Sequence, residues 1–311
     1  MTAETWRQAT ERALYGPGGF FIRNAPASQF RTSVHASPLF AGALARLARQ
    51  VHDALGRPQR MDIVDVGAGR GELLTALGRE LADIAPALTA VELAPRPGGL
   101  PEDIAWRRDV PEATTGLLIA TEWLDNVPVD VVRRDEDGLI RLVRTDGTLG
   151  EPAGAEDLAW LAEWWPDFAE AEPGWPRDRA WRRATEGHTG LALAVDYGHT
   201  LADRPVGGSL TGYREGLQVD PRPDGSTDIT AHVAMDSLGP GLLLTQRDAL
   251  LKLGVTGQRP PLSEASTDPR GYLAKLAAAG QAAELCDPAG LGRHWWLLQS
   301  RGLDMGRCWR D

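Results

Sequence analysis

Met61-Asp-Ile-Val-Asp-Val-Gly-Ala-Gly-Arg-Gly71 runs a short apolar strand into a glycine turn, and Glu72-Leu-Leu-Thr-Ala-Leu-Gly-Arg-Glu-Leu81 continues it as a helix. Gly67, Gly69 and Gly71 carry no β-carbon, so a ligand can approach this backbone closely. The open N–H groups at the helix start then face that ligand. A strand, a glycine turn and a helix in this order predict the first unit of a parallel α/β sheet.

The spacing selects the ligand. Dinucleotide turns read G-x-G-x-x-G and place phosphates at the helix N-terminus. Here the glycines read G-x-G-x-G, and Asp65 precedes the first by two residues. A carboxylate there repels a pyrophosphate and attracts a cation. The next strand, Ala87-Leu-Thr-Ala-Val-Glu-Leu93, brings Glu92 to the position about 20 residues on where a ribose-binding acid is expected. S-adenosylmethionine, with its sulfonium, ammonium and ribose but no phosphate, fits both features.

Composition narrows the setting. The 311 residues suffice for one large core with an insertion or for two modest domains. A net charge of −10 argues against a nucleic-acid partner and is compatible with a basic one. No apolar run reaches the length of a membrane span, and Met1-Thr-Ala-Glu-Thr-Trp6 does not read as a secretory signal. Two cysteines, Cys286 and Cys308, without ligand spacing fit a reduced cytoplasmic protein. Of 33 basic residues only Lys252 and Lys275 are lysines, a bias from which no function follows.

Further along, residues 1–57 read as a helical cap, with helices over Thr5–Leu14 and Pro38–Leu55 separated by Tyr15-Gly-Pro-Gly-Gly19. Residues 58–145 and 188–311 read as the α/β core. A third strand is expected at Gly116–Ala120, a polar-tipped hairpin or strand pair formed by Val129–Arg134 and Gly138–Arg144, and another strand at Leu191–Tyr197. A helix is expected over Thr245–Leu253 and a closing strand over His294–Gln299. Residues 146–187, with Trp160, Trp164, Trp165, Trp175 and Trp181, read as an inserted helical pair with a small core of its own, in preference to an aromatic ligand cage. The polar stretch 199–228 is a candidate active-site loop.

Thr121-Glu-Trp-Leu-Asp-Asn-Val-Pro128 follows the third strand at the carboxyl edge of the sheet. A helical turn there would place Glu122 and Asp125 on one side, able to grip a cation and accept a proton. The alternative is that Thr121 caps the turn and Glu122 stabilises its start. Asp109 could bond an adenine amino group or be a solvated loop acid. Asp196-Tyr-Gly-His199 and Asp228-Ile-Thr-Ala-His232 end near the same crevice, where His232 reads more as a packed residue than as a base. No spacing suggests a metal site or a hydrolase elbow.

Several segments together carry a resemblance. They are Tyr15-Gly-Pro-Gly-Gly-Phe-Phe21, Phe30-Arg-Thr-Ser33 with Pro38-Leu-Phe40, Val64-Asp-Val-Gly-Ala-Gly-Arg-Gly71, Glu122-Trp-Leu-Asp-Asn-Val-Pro128, Val195-Asp-Tyr-Gly-His199, Gly212-Tyr213, Asp228-Ile-Thr-Ala-His-Val233, and Asp287-Pro288 leading to Gly292. In this order they resemble the MidA-like family of S-adenosylmethionine-dependent methyltransferases, which includes the mitochondrial complex I assembly methyltransferase. The resemblance implies the class I methyltransferase (Rossmann-like) fold, a seven-stranded, mostly parallel sheet with added N-terminal and inserted elements. It implies cofactor binding by Asp65, Gly67, Gly69, Gly71 and Glu92, an acceptor facing Glu122 and Asp125, and methylation of an arginine on a protein partner. The chain departs from the family at Thr32-Ser-Val-His35, Phe40-Ala41 and Asp125-Asn126, which puts the acceptor in question. A non-catalytic assembly factor that retains the cofactor site and a small-molecule methyltransferase stay open as alternatives.

Overall fold

The computed structural model describes residues 3–23, 33 and 37–309. Its core is a sheet of seven strands: β1 (Asp62–Val66), β2 (Ala87–Val91), β3 (Ile104–Arg107), β4 (Thr114–Thr121), β5 (His188–Asp196), β6 (Leu242–Thr245) and β7 (Trp295–Arg301). They lie in the order β6-β7-β5-β4-β1-β2-β3. β7 runs antiparallel to both its neighbours, and the other pairings are parallel. This is the expected mostly parallel α/β sheet.

Both faces of the sheet are covered, so its central strands read as near-continuous apolar runs. Alternate side chains divide between two cores, as the two-residue period of a strand requires. Ile63, Leu117, Ile119, Leu191 and Leu193 pack on one side, and Val64, Val66, Leu118, Ala120 and Ala192 on the other. Helix α1 (Trp6–Tyr15) stands apart from this first side, which is closed by helix α2 (Pro38–Ala54) and helix α3 (Glu72–Glu80). On α2, Phe40, Leu44, Leu47 and Val51 recur at helical spacing and are fully buried. Each contributes about 1.5–3 kcal/mol over an exposed position. Ser37 caps α2 by accepting the Leu39 N–H at 3.0 Å, and Pro38 supplies a preset first turn.

Two glycines fix how closely β4, β5 and β1 approach. Gly116 and Gly190 are partners in the β4–β5 ladder, with φ of 144° and 126°. A β-carbon at Gly190 would lie 2.1 Å from the Gly116 carbonyl oxygen. Gly190→Ala is therefore expected to cost about 3 kcal/mol or more and to lower the thermal midpoint by several degrees, read by calorimetric melting.

The region before β5 builds a second layer. Strands at Val132–Arg134, Ile140–Val143, Leu149–Pro152 and Glu170–Ala171 form a four-stranded sheet, so the expected hairpin is the centre of something larger. Helix α4 (Ala155–Trp164) packs Trp160 and Leu161, with Trp165 just after it, against Val132 and Ala171. Helix α5 (Trp175–Thr185) instead lays Trp181 on the main sheet, and Trp175 lies between the guanidiniums of Arg7 and Arg179 at 4.7 and 4.6 Å. Arg7 belongs to α1, whose Trp6 packs with Val131 and Val143 of this layer.

Two elements differ from expectation and one refines it. β3 is a four-residue edge strand with only Ile104 buried, too short to show a period. The stretch 199–228 carries a hairpin: Thr211–Arg214 pairs with Leu217–Val219 and, across its other edge, with Asp228–Thr230. Its Tyr213 and Gly216 line a cavity at the carboxyl edge of the main sheet, as expected of a loop at the site. A 17-residue helix, Pro269–Leu285, buries only Ala279, Ala282 and Leu285, so it follows from alanine-rich propensity and not from an apolar stripe. Among the described residues no helix is long and apolar enough to cross a membrane.

Candidate active site

The sheet register brings the loops that matter to one edge. Val66 pairs with Val91 and Ala120, Thr121 pairs with Val195, and Trp295 pairs with Asp196. Gly67, Glu92, Glu122, Tyr197 and His294 thus meet at the carboxyl ends of the parallel strands, where ligands of open α/β sheets bind. A cavity of about 940 Å³ opens there, lined by Asp65, Gly67, Gly69, Glu92, Asp109, Glu122 and Asp125 among others. Among the described residues its wall presents seven carboxylates and three guanidiniums, which favours a cationic occupant.

The glycine turn is fixed by its own backbone. Gly67 and Ala68 donate to the Val91 carbonyl at 3.0 and 3.3 Å, and Gly71 donates to Ala68 at 2.8 Å. All three glycines have positive φ, at 74°, 57° and 80°. The missing β-carbons also serve packing: one at Gly67 would lie 2.7 Å from the Trp123 ring, and one at Gly71 would lie 2.6 Å from Leu100. Gly71 heads α3 and, unlike Gly67 and Gly69, does not line the cavity.

Two acids flank this turn. Glu92 accepts the Gly69 N–H at 3.1 Å on one oxygen, and the Leu93 and Ala94 N–H groups at 2.7 and 3.0 Å on the other. Its carboxylate is locked in place, and the oxygen that accepts from Gly69 keeps a lone pair for a hydroxyl. Asp65 is 2% exposed, and its Oδ1 has no hydrogen-bond partner among the described residues. Burial, followed by the nearby charges of Glu92 and Glu72, pushes its carboxyl up to about 8. A buried carboxyl with an idle oxygen suits an ammonium. Asp109 lies after β3, exposed at the rim beside Arg108 and Val110, and lines the same cavity.

The second group of acids lies after β4. Glu122 takes a left-handed backbone, φ 51°, outside the turn it was expected to start. The turn itself is a single 3₁₀ segment, Leu124–Asn126, headed by Trp123 without a side-chain cap. Asp196 does the capping from β5, accepting the Leu124 and Asp125 N–H groups at 3.0 and 3.3 Å. Thr121 therefore has no capping role, and the two carboxylates take different partners. Glu122 accepts the Ser33 N–H at 2.9 Å and lies 4.0 Å from His294 Nδ1. Asp125 is 3% exposed and accepts the hydroxyls of Tyr197 and Thr230. Its Oδ1 has no partner among the described residues. Of the segment Thr32–His35, only Ser33 falls within the described residues.

Sequence reading left out several residues of this half. The Tyr197 ring packs between those of His232 and His294, each 5.6 Å away. The Tyr15 hydroxyl donates to the Asn126 carbonyl at 3.2 Å and lines the cavity. Burial holds His294 down at about 4, so it is a neutral imidazole beside Glu122. Tyr197 and Asp228 stood within quoted motifs, and that was their only signal. Tyr15 lies in a turn-like glycine segment with nothing chemical about it. Among the described residues no cluster of His, Cys, Asp and Glu is placed to hold a metal.

Known proteins share this architecture. Residues 43–240 match the model of a family described as S-adenosyl-L-methionine-dependent methyltransferases. A COG1565 superfamily member from Burkholderia thailandensis, crystallised with S-adenosyl-homocysteine bound, superposes with a TM-score of 0.78 and 26% identity over 97% of this chain and 89% of that one. A native crystal structure of a COG1565 superfamily protein from the same organism gives 0.77 and 25% identity over 97% and 88%. No curated protein sequence matches the chain. The seven-stranded fold and the MidA-like resemblance agree with the family match. The chain belongs to this family of S-adenosylmethionine-dependent methyltransferases, and S-adenosylmethionine is its cofactor.

Proposed function

We propose that the methyl group goes to an arginine side chain of a protein partner, and that the two groups of acids divide the work. Asp65 pairs with the cofactor ammonium, Glu92 accepts its ribose hydroxyls, and Gly67 and Gly69 let it lie against the backbone, with Asp109 at the adenine end. Glu122 and Asp125 face the acceptor. The observation that carries this reading is the Glu122–Asp125 pair. Asp125 is buried with an oxygen that has no partner among the described residues, and Glu122 sits on a backbone that an L-residue seldom adopts. A strained acid at a cavity wall is characteristic of functional sites, and two carboxylates match the planar fork of a guanidinium.

The bound cofactor supplies an electrophilic methyl on a sulfonium. The protein's share is to bring the acceptor nitrogen within about 3–3.5 Å of that carbon and to hold it in line. Methyl transfer would add positive charge to the acceptor, which Glu122 and Asp125 would hold until the proton passes to Glu122. A guanidinium with a pKa above ~12 is too weak an acid for His232 or the neutral His294 to strip beforehand, so its proton is lost as the N–C bond forms, and Glu122 is placed to take it. A reduced cytoplasmic setting accommodates the two buried free cysteines.

The cofactor half is tested by Glu92→Ala, expected to weaken S-adenosylmethionine and S-adenosylhomocysteine binding about tenfold or more in calorimetric titration. The acceptor is tested by incubation with methyl-labelled S-adenosylmethionine and a cell extract, followed by hydrolysis of the protein fraction. Label in methylarginine is the expected result. Label in another amino acid or in the small-molecule fraction overturns the arginine reading. Cofactor that binds and is never converted would favour an assembly factor that keeps the site.

A further inference from the structure

Arg177, on α5, lies outside the glycine turn and outside the acid pair, yet it is 3% exposed against the Asp125 main chain. All three guanidinium nitrogens donate to main-chain carbonyls. Nη2 reaches Asp125 at 2.6 Å, Nε reaches Val127 at 3.2 Å, and Nη1 reaches His232 at 2.8 Å. One side chain therefore ties the turn after β4 to the loop after Asp228–Thr230, two segments joined otherwise through Asn126, Thr230 and Tyr197. Its planar fork suits this three-way clamp, and the group stays protonated even when buried.

Its charge has an equally specific setting. Burial acts on it most strongly and lowers its pKa, and Asp125 and Asp196, then Glu172 and Tyr197, oppose that. Asp125 is itself faced by Asp196 at the end of β5 and Tyr197 just after it, by Asp228, Thr230 and His232, by Tyr213 from the strand Thr211–Arg214, and by Tyr15 from α1. Burial raises the carboxyls of Asp125, Asp196 and Asp228, and Arg177 opposes that rise at Asp125 and Asp196. Three buried acids this close do not all ionise without a fixed cation.

We infer that Arg177 is a positioning residue for methyl transfer: its carbonyl clamp fixes the Leu124–Asn126 turn, and its charge balances the buried carboxylates of the acceptor pocket. The inference rests on the reading of Asp125 as an acceptor-side acid. It does not make Arg177 a contact of either substrate.

The test uses protein labelled with carboxyl-¹³C aspartate, saturated with S-adenosylhomocysteine and titrated by NMR, with Asp125→Asn to assign the Asp125 signal. Arg177→Gln should raise the Asp125 midpoint by about one pH unit or more, and Arg177→Lys should restore it to within about half a unit. A purely structural role predicts no such split between two folded variants. An Arg177→Gln protein that binds S-adenosylhomocysteine normally and titrates as the wild type overturns the charge role. If Arg177→Gln fails to fold, Arg177→Lys decides the matter. It keeps the charge without the fork and should bind N-acetyl-arginine amide, added to the S-adenosylhomocysteine complex, at least about fivefold more weakly. Unchanged binding overturns the positioning role. Failure of this probe to bind the wild type would overturn the arginine acceptor and leave the Arg177 titration standing.

Discussion

Glu122→Gln is expected to lower turnover by about 100-fold or more while S-adenosylhomocysteine affinity stays within about threefold of the wild type. The exchange keeps the side-chain shape and an oxygen for the Ser33 N–H, and removes only the charge. The charge matters most when a second positive group develops on the acceptor beside the cofactor, so the loss falls on the transition state and leaves ground-state cofactor binding nearly intact. The measurement pairs initial rates of label transfer to the arginine acceptor with calorimetric titration of the product cofactor. Equal losses in rate and affinity would mean that Glu122 serves the fold of the turn. Glu122→Gly is a useful control, because it relieves the left-handed backbone at φ 51°, worth about 1 kcal/mol, while removing the carboxylate. A protein that melts higher but is inactive would separate strain from function.

Asp65→Asn is expected to weaken S-adenosylmethionine binding by about 30-fold or more, since it leaves a cofactor ammonium facing a neutral group in a buried site. The pH dependence follows from the position of the Asp65 carboxyl at about 8 in the cofactor-free fold, well above its ordinary value of 3.8. Between these limits the folded protein holds a proton that the unfolded chain has released, so stability is highest below the lower value and falls as pH rises towards the upper one. Asparagine removes that decline, and the variant should be more stable than the cofactor-free wild type near pH 8 by about 1–3 kcal/mol. Binding a cation lowers the Asp65 pKa, so wild-type affinity should tighten as pH approaches 8, with close to one proton released per cofactor bound near neutrality. Calorimetry in two buffers of different ionisation enthalpy counts that proton. The same heat in both buffers would place Asp65 away from the cofactor's charge.

The half of the site proposed for the cofactor is legible in the amino-acid sequence. It consists of one short stretch, Asp65 to Gly69, plus Glu92 at the end of the next strand. The chemistry there is carried by backbone N–H groups, missing β-carbons and acids whose positions follow from chain-local geometry. Long elements with strong periods, such as Pro38–Ala54 and the buried strands around Leu117–Ala120 and Leu191–Val195, are legible for the same reason. β3 and the helix Pro269–Leu285 are not, because one is too short and the other too uniformly small to show a pattern.

The acceptor half is a different kind of object. Sequence placed Glu122 and Asp125 at the carboxyl edge of the sheet and left open whether they cap a turn or hold a ligand. Folding gave the cap to Asp196, 72 residues away from Leu124, and gave Asp125 the hydroxyl of Thr230, 105 residues away. It also put Arg177 against the Asp125 main chain and turned Glu122 towards His294. None of these pairings has a local signature, because each depends on which loops the β4–β5–β7 register brings to one edge. What the amino-acid sequence determined by itself is the central strands of the sheet, the glycine turn and the cofactor, since those follow from residues adjacent in the chain. What the tertiary structure decided is the charge and shape of the acceptor pocket, since buried acids acquire their partners, their protonation and their orientation only when distant segments pack together.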